Sequence, residues 1–128
     1  VVVLGPLSRR IKPFVLRVAG RRHVGSLAKV HHRGRNSGRD YATPVLARPS
    51  ADGFLIPLFF GADADWCRNV VAAHQCRIEW HGTLHRMHNP RVLTAAAAKD
   101  RVRAGFPAHE RLLLRLAGIY EFLVVDPE

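Results

Sequence analysis

The chain has 128 residues, with 48% apolar residues and a formal net charge of +10. That is enough for one domain with a real core but not for two, and too apolar for a disordered tail. Two cysteines exclude a disulfide framework, no apolar run approaches the roughly 18–20 residues of a membrane span, and the opening VVVL lacks the basic flank of a signal peptide. A reduced, cytoplasmic setting is the expectation.

The charge is one-sided. Residues 1–50 hold eleven Lys and Arg against one acid, Asp40, and residues 51–128 hold nine against nine. The whole excess therefore lies in the first 50 residues and calls for an anionic partner. A nucleic acid, an anionic membrane and a polyanionic cofactor each satisfy that demand.

In chain order, LSRRIKPFVLRV (7–18) reads as a basic amphipathic helix, with Leu7, Ile11, Phe14, Val15 and Val18 on one side and Gly20 ending it. Pro13 kinks it or marks its true start. SLAKVHH (26–32) and YATPVLAR (41–48) read as strands joined by RGRNSGR. His31 and His32 face opposite ways on the first strand, and at least one should simply be exposed. After the turn PSADG, FLIPLFF (54–60) is apolar on both faces and reads as a central strand, with Pro57 at a bulge or an unpaired position.

Asp63 is the expected N-cap of a helix over 64–73, with Trp66, Val70 and Ala73 on one face. CRIEW (76–80) alternates: Cys76, Ile78 and Trp80 against Arg77 and Glu79. His81-Gly82 turns the chain into TLHRMH (83–88). Thr94 caps a helix over 95–104 that Gly105 stops, Pro107 starts another that ends near Gly118, and YEFLVVD (120–126) is the last strand. Hairpin-linked strands with inserted helices predict a mainly β α+β domain: a small antiparallel β-barrel with helices packed outside.

HRGRNSGRDYATP (32–44) is neither a Walker loop nor a Rossmann fingerprint, because the spacing is wrong and a strand follows. Its tight turn can present backbone N–H groups to an anion, with Arg33, Arg35 and Arg39 as planar forks and Ser37 as a hydroxyl. A solvated hairpin loop is the competing reading. His81, His85, His88 and nearby His74 lack a completing carboxylate or cysteine at zinc spacing, so no metal site is expected. No nucleophilic triad is readable either, and catalysis would belong to a bound cofactor.

HRGRNSGRDYATPVLARP, then DGFLIPLFFGADADWCRNVVAAHQCRIEWHG, then NPRVL and the closing YEFLVV, resemble the actinobacterial deazaflavin-dependent nitroreductase/quinone reductase family, well over about residues 20–94 and more loosely at the ends. The joint pattern G-R-x-S-G-R…T-P-V and F-G-x-x-x-D-W-x-R-N carries the likeness. The resemblance implies a flavin-oxidoreductase-like split barrel that binds coenzyme F420, whose tail carries a phosphate and several glutamates. It implies that Arg35, Asn36, Ser37 and Gly38 surround the phosphate, with Arg33 and Arg39 near the tail carboxylates. Pro44, Val45 and Leu46 would line the ring through their backbone. Phe59, Phe60, Gly61 and Trp66 would form the other wall, and Arg68 or Asn69 would reach the ligand.

The implied reaction is hydride transfer from the reduced deazaflavin to an electron-poor acceptor: a quinone, an activated alkene or a nitro compound. The segment before the last strand, FPAHERLLLRL, lacks the tyrosines found near the substrate of the family's nitroreductases. Phe106 and His109 stand in their place, and Tyr120 is the nearest tyrosine. His109 and Tyr120 are therefore the catalytic candidates, with a surface-helix histidine as the competing reading of His109. Three rivals stand beside this reading. A nucleic-acid module explains the charge but shows no RNP, OB or helix-turn-helix signature, so no nucleic acid is expected. An FMN- or haem-binding barrel would use the same pocket. A peripheral protein at the inner face of the membrane would use residues 7–18 as an interfacial helix. Either a monomer or a homodimer is compatible with the sequence.

Overall fold

The computed structural model describes residues 27–50 and 53–128. The expected helix over 7–18 lies outside the described residues, as does part of the turn before residue 53. Seven strands form one sheet in which every pairing is antiparallel. They are β1 (Leu27–Arg33), β2 (Asp40–Leu46), β3 (Arg48–Ser50), β4 (Gly53–Pro57), β5 (Gln75–Trp80), β6 (Thr83–Thr94) and β7 (Glu121–Pro127). Among the described residues three helices are inserted: α1 (Asp65–Ala73), α2 (Lys99–Gly105) and α3 (Ala108–Leu116). The result is a mainly β α+β fold.

The sheet order is β2-β1-β5-β6-β7-β4-β3. Its two edge strands, β2 and β3, are separated in the chain by Ala47 alone. Opposite edges joined by one residue force the sheet to curl on itself, which gives a split barrel. The expected single strand over 41–48 is thus two strands, because the chain changes partner from β1 to β4 at the buried Ala47.

Period-2 patterning sets what goes inside. Ala28 and Val30 of β1, Phe54 and Ile56 of β4, Cys76 and Ile78 of β5, Met87 of β6, and Leu123 and Val125 of β7 make the barrel core. Cys67 and Val70 of α1 pack onto it. Alternate residues Leu55, Phe122 and Val124 face a second cluster with Ala98, Phe106 and Leu114, under α2 and α3. This explains why β4 and β7 carry unbroken apolar runs: both faces are covered. Each large side chain taken fully inside contributes about 1.5–3 kcal/mol.

Several boundaries differ from the sequence reading. The strand expected over 54–60 ends at Pro57, which still stands opposite Phe122 and makes no bulge there. Leu58 keeps one bond, its N–H donating to the Glu121 carbonyl at 3.0 Å, and Phe59 and Phe60 form an exposed turn. The irregularity lies instead in β6, between His88 and Arg91, where Asn89 has φ 54°. That bulge admits Pro90 and lets the strand run on to Thr94 rather than end at His88. Helix α1 is capped by Ala64, not Asp63, and makes no side-chain cap bond; Ala73 is exposed, and Cys67 and Asn69 join Val70 on the buried side. Thr94 Oγ1 accepts from the Ala97 N–H at 3.1 Å, but the segment it caps is a turn over 95–98, and α2 starts at Lys99. Gly105 is the last residue of α2. A Cβ there would come within 3.0 Å of the Pro49 carbonyl, so close packing on β3 is its role. The breaks at His81-Gly82, Pro107 and Gly118 fall where the sequence places them, with His81, Gly82 and Gly118 at positive φ.

Candidate functional site

The β1–β2 hairpin is closed by Gly34, whose N–H donates to the Arg39 carbonyl (2.8 Å) and whose carbonyl accepts from the Gly38 N–H (2.9 Å). A Cβ on Gly34 would lie 2.5 Å from Ser37 Oγ and 3.0 Å from the Tyr41 ring, so a side chain here would push the Ser37 hydroxyl and the Tyr41 ring aside. Ser37 Oγ accepts from the Arg39 N–H (3.2 Å) and lies 3.3 Å from the Tyr41 hydroxyl. The loop therefore spends the N–H groups of Gly34, Arg35, Gly38 and Arg39 inside the protein. Among the described residues, those of Asn36 and Ser37 make no such bond, so the loop offers two N–H groups rather than a continuous nest.

Arg35 is tied to α1. Its backbone N–H (3.1 Å) and Nη1 (2.7 Å) both donate to Asn69 Oδ1, and Nη2 donates to Asp65 Oδ1 at 3.3 Å. Because Oδ1 faces Arg35, the amide Nδ2 of the buried Asn69 must face the other way, and it donates to His32 Nδ1 at 3.1 Å. An imidazole that accepts at Nδ1 carries its proton on Nε2. That proton is donated to Thr43 Oγ1, 2.9 Å away. The His32 ring also stacks on its cross-strand partner Tyr41, with centroids 5.7 Å apart. A chain of hydrogen bonds thus runs Thr43–His32–Asn69–Arg35–Asp65 and joins β1, β2, the loop and α1. Neither adjacent histidine is merely exposed: His32 is buried, and half-buried His31 meets Glu79 Oε1 at 3.1 Å.

These elements border a groove of about 870 Å³. Its apolar lining comes from Leu27, Pro44, Val45 and Leu46 on β1 and β2 and from Phe59, Phe60 and Trp66 at the turn and α1. Its polar end holds Gly34, Arg35, Asn36, Ser37, Asn69, His32, Tyr41, Thr43 and Asp65. The groove therefore joins an apolar lining, which continues along β2 away from the loop, to a guanidinium with hydroxyl and amide donors at the loop. Arg35, held by α1, keeps donors beyond the three it uses toward Asn69 and Asp65. Asp65, mostly exposed, lowers the positive potential on the α1 side and favours an anion on the loop side.

Of the residues singled out from the sequence, Arg35, Asn36, Ser37, Pro44, Val45, Leu46, Phe59, Phe60, Trp66 and Asn69 line this groove. Gly38, Arg39, Gly61, Arg33 and Arg68 do not. Gly38 (φ 71°) and Gly61 (φ 79°) shape the turns behind it. Arg33 is exposed and meets Asp40 at 3.6 Å, and Arg39 and Arg68 point to solvent. His109 is exposed on α3, Tyr120 is 77% exposed, and neither borders the groove. Phe106 is buried in the second core, not beside a substrate. Sequence reasoning missed Leu27, His32, Gly34, Tyr41, Thr43 and Asp65. For His32, Tyr41 and Thr43 the signal was present: once the hairpin register is set, all three share one face with Val45.

Among the described residues, no three His, Cys, Asp or Glu side chains are grouped to hold a metal ion. No described helix is long and apolar enough to cross a membrane. Burial pushes the Cys76 thiol up to about 12. Burial, then Glu121 and Asp63, push that of Cys67 to about 11, so neither thiol is a nucleophile at neutral pH.

No known family model and no curated protein matches the chain. Solved structures do match at the level of fold. One, a domain-swapped dimer, is 14% identical with TM-score 0.58, over 79% of this chain and 80% of that one. Another, an F420-H2-dependent reductase (FDR-A), is 16% identical with TM-score 0.55, over 79% of this chain and 94% of that one. A third, a protein of unknown function from Agrobacterium tumefaciens, is 17% identical with TM-score 0.51, over 91% of this chain and 54% of that one. At these identities the likeness is one of fold.

Proposed function

We propose that the chain is an F420-dependent oxidoreductase that passes a hydride from the reduced deazaflavin to an electron-poor small molecule: a quinone, an activated alkene or a nitro compound. The observation that carries the reading is the groove itself, lined by Pro44–Leu46, Phe59, Phe60 and Trp66 and cationic at the Arg35–Ser37 loop. A planar ring with an anionic tail fits that polarity, and the fold neighbour that is an F420-H2-dependent reductase supports it.

When bound, the coenzyme supplies the hydride. The protein holds and orients it. The backbone of Pro44–Leu46 meets the ring edge and Trp66 with Phe59 and Phe60 closes the far side. Arg35 and the Asn36 and Ser37 N–H groups take the phosphate. The Thr43–His32–Asn69 chain holds Arg35 in place before the ligand arrives, which lowers the ordering cost of binding. Solvent supplies the proton that the acceptor needs. Arg33 and Arg39, exposed outside the groove, would meet the outer end of an anionic tail. The protein acts in the cytoplasm, as a monomer or as a homodimer like the dimeric fold neighbour.

Titration of purified protein with oxidised F420, and separately with FMN, followed by cofactor fluorescence, tests the assignment. Saturable F420 binding that Arg35→Ala weakens by about 1.5–3 kcal/mol is expected, from loss of a charge-assisted bond. Tight FMN binding with no response to F420 would overturn it in favour of a flavin-binding barrel.

A further inference from the structure

A second groove of about 550 Å³ lies at the end of the sheet, backed by the same His32 and Tyr41 that line the first. Its basic side chains come from three neighbouring strands. His31 of β1 stands opposite Arg77 of β5, and Arg77 stands opposite Arg86 of β6. Directly opposed side chains on one face of an antiparallel pair come within about 5 Å, where like charges repel. Elsewhere this face balances its charges. Lys29 (4.0 Å) and His31 (3.1 Å) share Glu79, and Arg33 meets Asp40 at 3.6 Å. Arg77 and Arg86, both exposed, form no ion pair among the described residues.

We propose that Arg77 and Arg86 form a second anion site, distinct from the Arg35 loop, that takes the phosphoryl group of a small molecule. A single carboxylate offsets one guanidinium. A phosphoryl dianion offsets two, and its oxygens match two planar forks. The groove is larger than a bare phosphate needs, and Tyr41, Ala42 and Ala73 provide an organic moiety with a wall. Two acids border the groove. Asp40 is engaged by Arg33, and Glu128 is held beside the site by its N–H donating to the Arg86 carbonyl at 3.1 Å. Glu128 thus moderates the site without pairing with Arg86. The proposal does not rest on the deazaflavin reading, since it uses none of the cationic or amide groups of the first groove.

Isothermal titration at constant ionic strength tests it, with inorganic pyrophosphate and with ribose 5-phosphate as probes. Saturable binding is expected, and the equivalent of probe bound at Arg77–Arg86 persists when the Arg35 loop is disabled. The double variant Arg77→Gln/Arg86→Gln weakens it at least ~10-fold, while the ligand-free melting temperature stays level or rises as the like-charge contact is removed. Glu128→Gln tightens binding, and Arg35→Gln leaves it within about twofold. Tighter binding of ribose 5-phosphate than of pyrophosphate identifies an organic phosphate as the ligand, and the reverse a free polyphosphate. No saturable binding by either probe overturns the site. So does a double variant that binds as the parent does, and so does loss of binding in Arg35→Gln, which would place the anion in the first groove.

Discussion

Asn69→Ala is the most informative single change in the first groove. Asn69 makes three hydrogen bonds: two accepted from Arg35, at 3.1 and 2.7 Å, and one donated to His32 at 3.1 Å. A bond to a charged group contributes about 1.5–3 kcal/mol and a neutral one about 0.5–1.5 kcal/mol. Arg35 keeps its bonds to Asp65, and water can reach the outer side of the guanidinium, so part of the sum is recovered. The expected loss is about 2–4 kcal/mol of stability. Asn69→Asp should behave differently. The carboxylate still accepts from Arg35, and His32 can answer it by moving its proton from Nε2 to Nδ1 and accepting the Thr43 hydroxyl at Nε2. Chemical denaturation measures the stabilities, and ¹⁵N NMR of the imidazole reads the tautomer. The expected result is a large loss for Asn69→Ala, a small one for Asn69→Asp, and a tautomer switch in Asn69→Asp alone. Asn69→Ala within about 0.5 kcal/mol of the parent, or a parent His32 protonated at Nδ1, would refute the hydrogen-bond chain.

Other expectations concern the frame around the groove. The buried thiols keep their protons in the fold up to about 11 for Cys67 and about 12 for Cys76, against 9.0 for an ordinary thiol. Between those limits the unfolded chain binds fewer protons, so the thiols' contribution is whole below pH ~9 and falls as pH rises, by up to ~1.4 kcal/mol per unit for each. Cys76→Val should flatten the fall in urea stability between pH 8 and 10; an unchanged slope would show that the thiol is not its source. Gly34→Ala forces a Cβ against Ser37 and Tyr41 and should cost about 1–3 kcal/mol by thermal or chemical unfolding, whereas a neutral outcome would mean that the loop has room. Hydrogen bonds from Arg91 and then Asn89 hold the Asp126 carboxyl below the usual carboxylate range and pin the β6 bulge to β7. Arg91→Ala should let that pKa rise back toward the usual carboxylate range in a ¹³C NMR titration, and a pKa that stays put would assign the shift elsewhere. The stabilisation from this carboxylate is present above pH ~4 and lost as pH falls.

Local chemistry was what the sequence made legible. CRIEW alternates cleanly because one face of β5 meets the barrel core, and His81-Gly82 turns tightly because both residues take positive φ. What depended on distant partners was hidden. β3 exists only because Arg48–Ser50 find β4, and nothing in three residues announces that. The continuation of β6 through Pro90 needs the bulge, which needs Asp126 of β7 as its anchor. Asn69 read as a helix residue that could reach a ligand, and its role as the link between Arg35 and His32 spans 34 and 37 positions. The basic loop stood out by composition, but charge alone could not tell Arg35, folded onto α1, from Arg33 and Arg39, which are exposed and do not line the groove.

The central claim is that a deazaflavin lies between the β2 edge and the Phe59–Trp66 segment, with its phosphate at the loop. Amide and indole ¹H–¹⁵N NMR shifts on adding oxidised F420 test this most directly. The account predicts large shifts at Asn36, Ser37, Val45 and Leu46 and at the Trp66 indole, with Arg77, Arg86 and Tyr120 little moved. Shifts that leave residues 36–46 and Trp66 unchanged, or that centre on α3 or the Arg77–Arg86 groove, would contradict it.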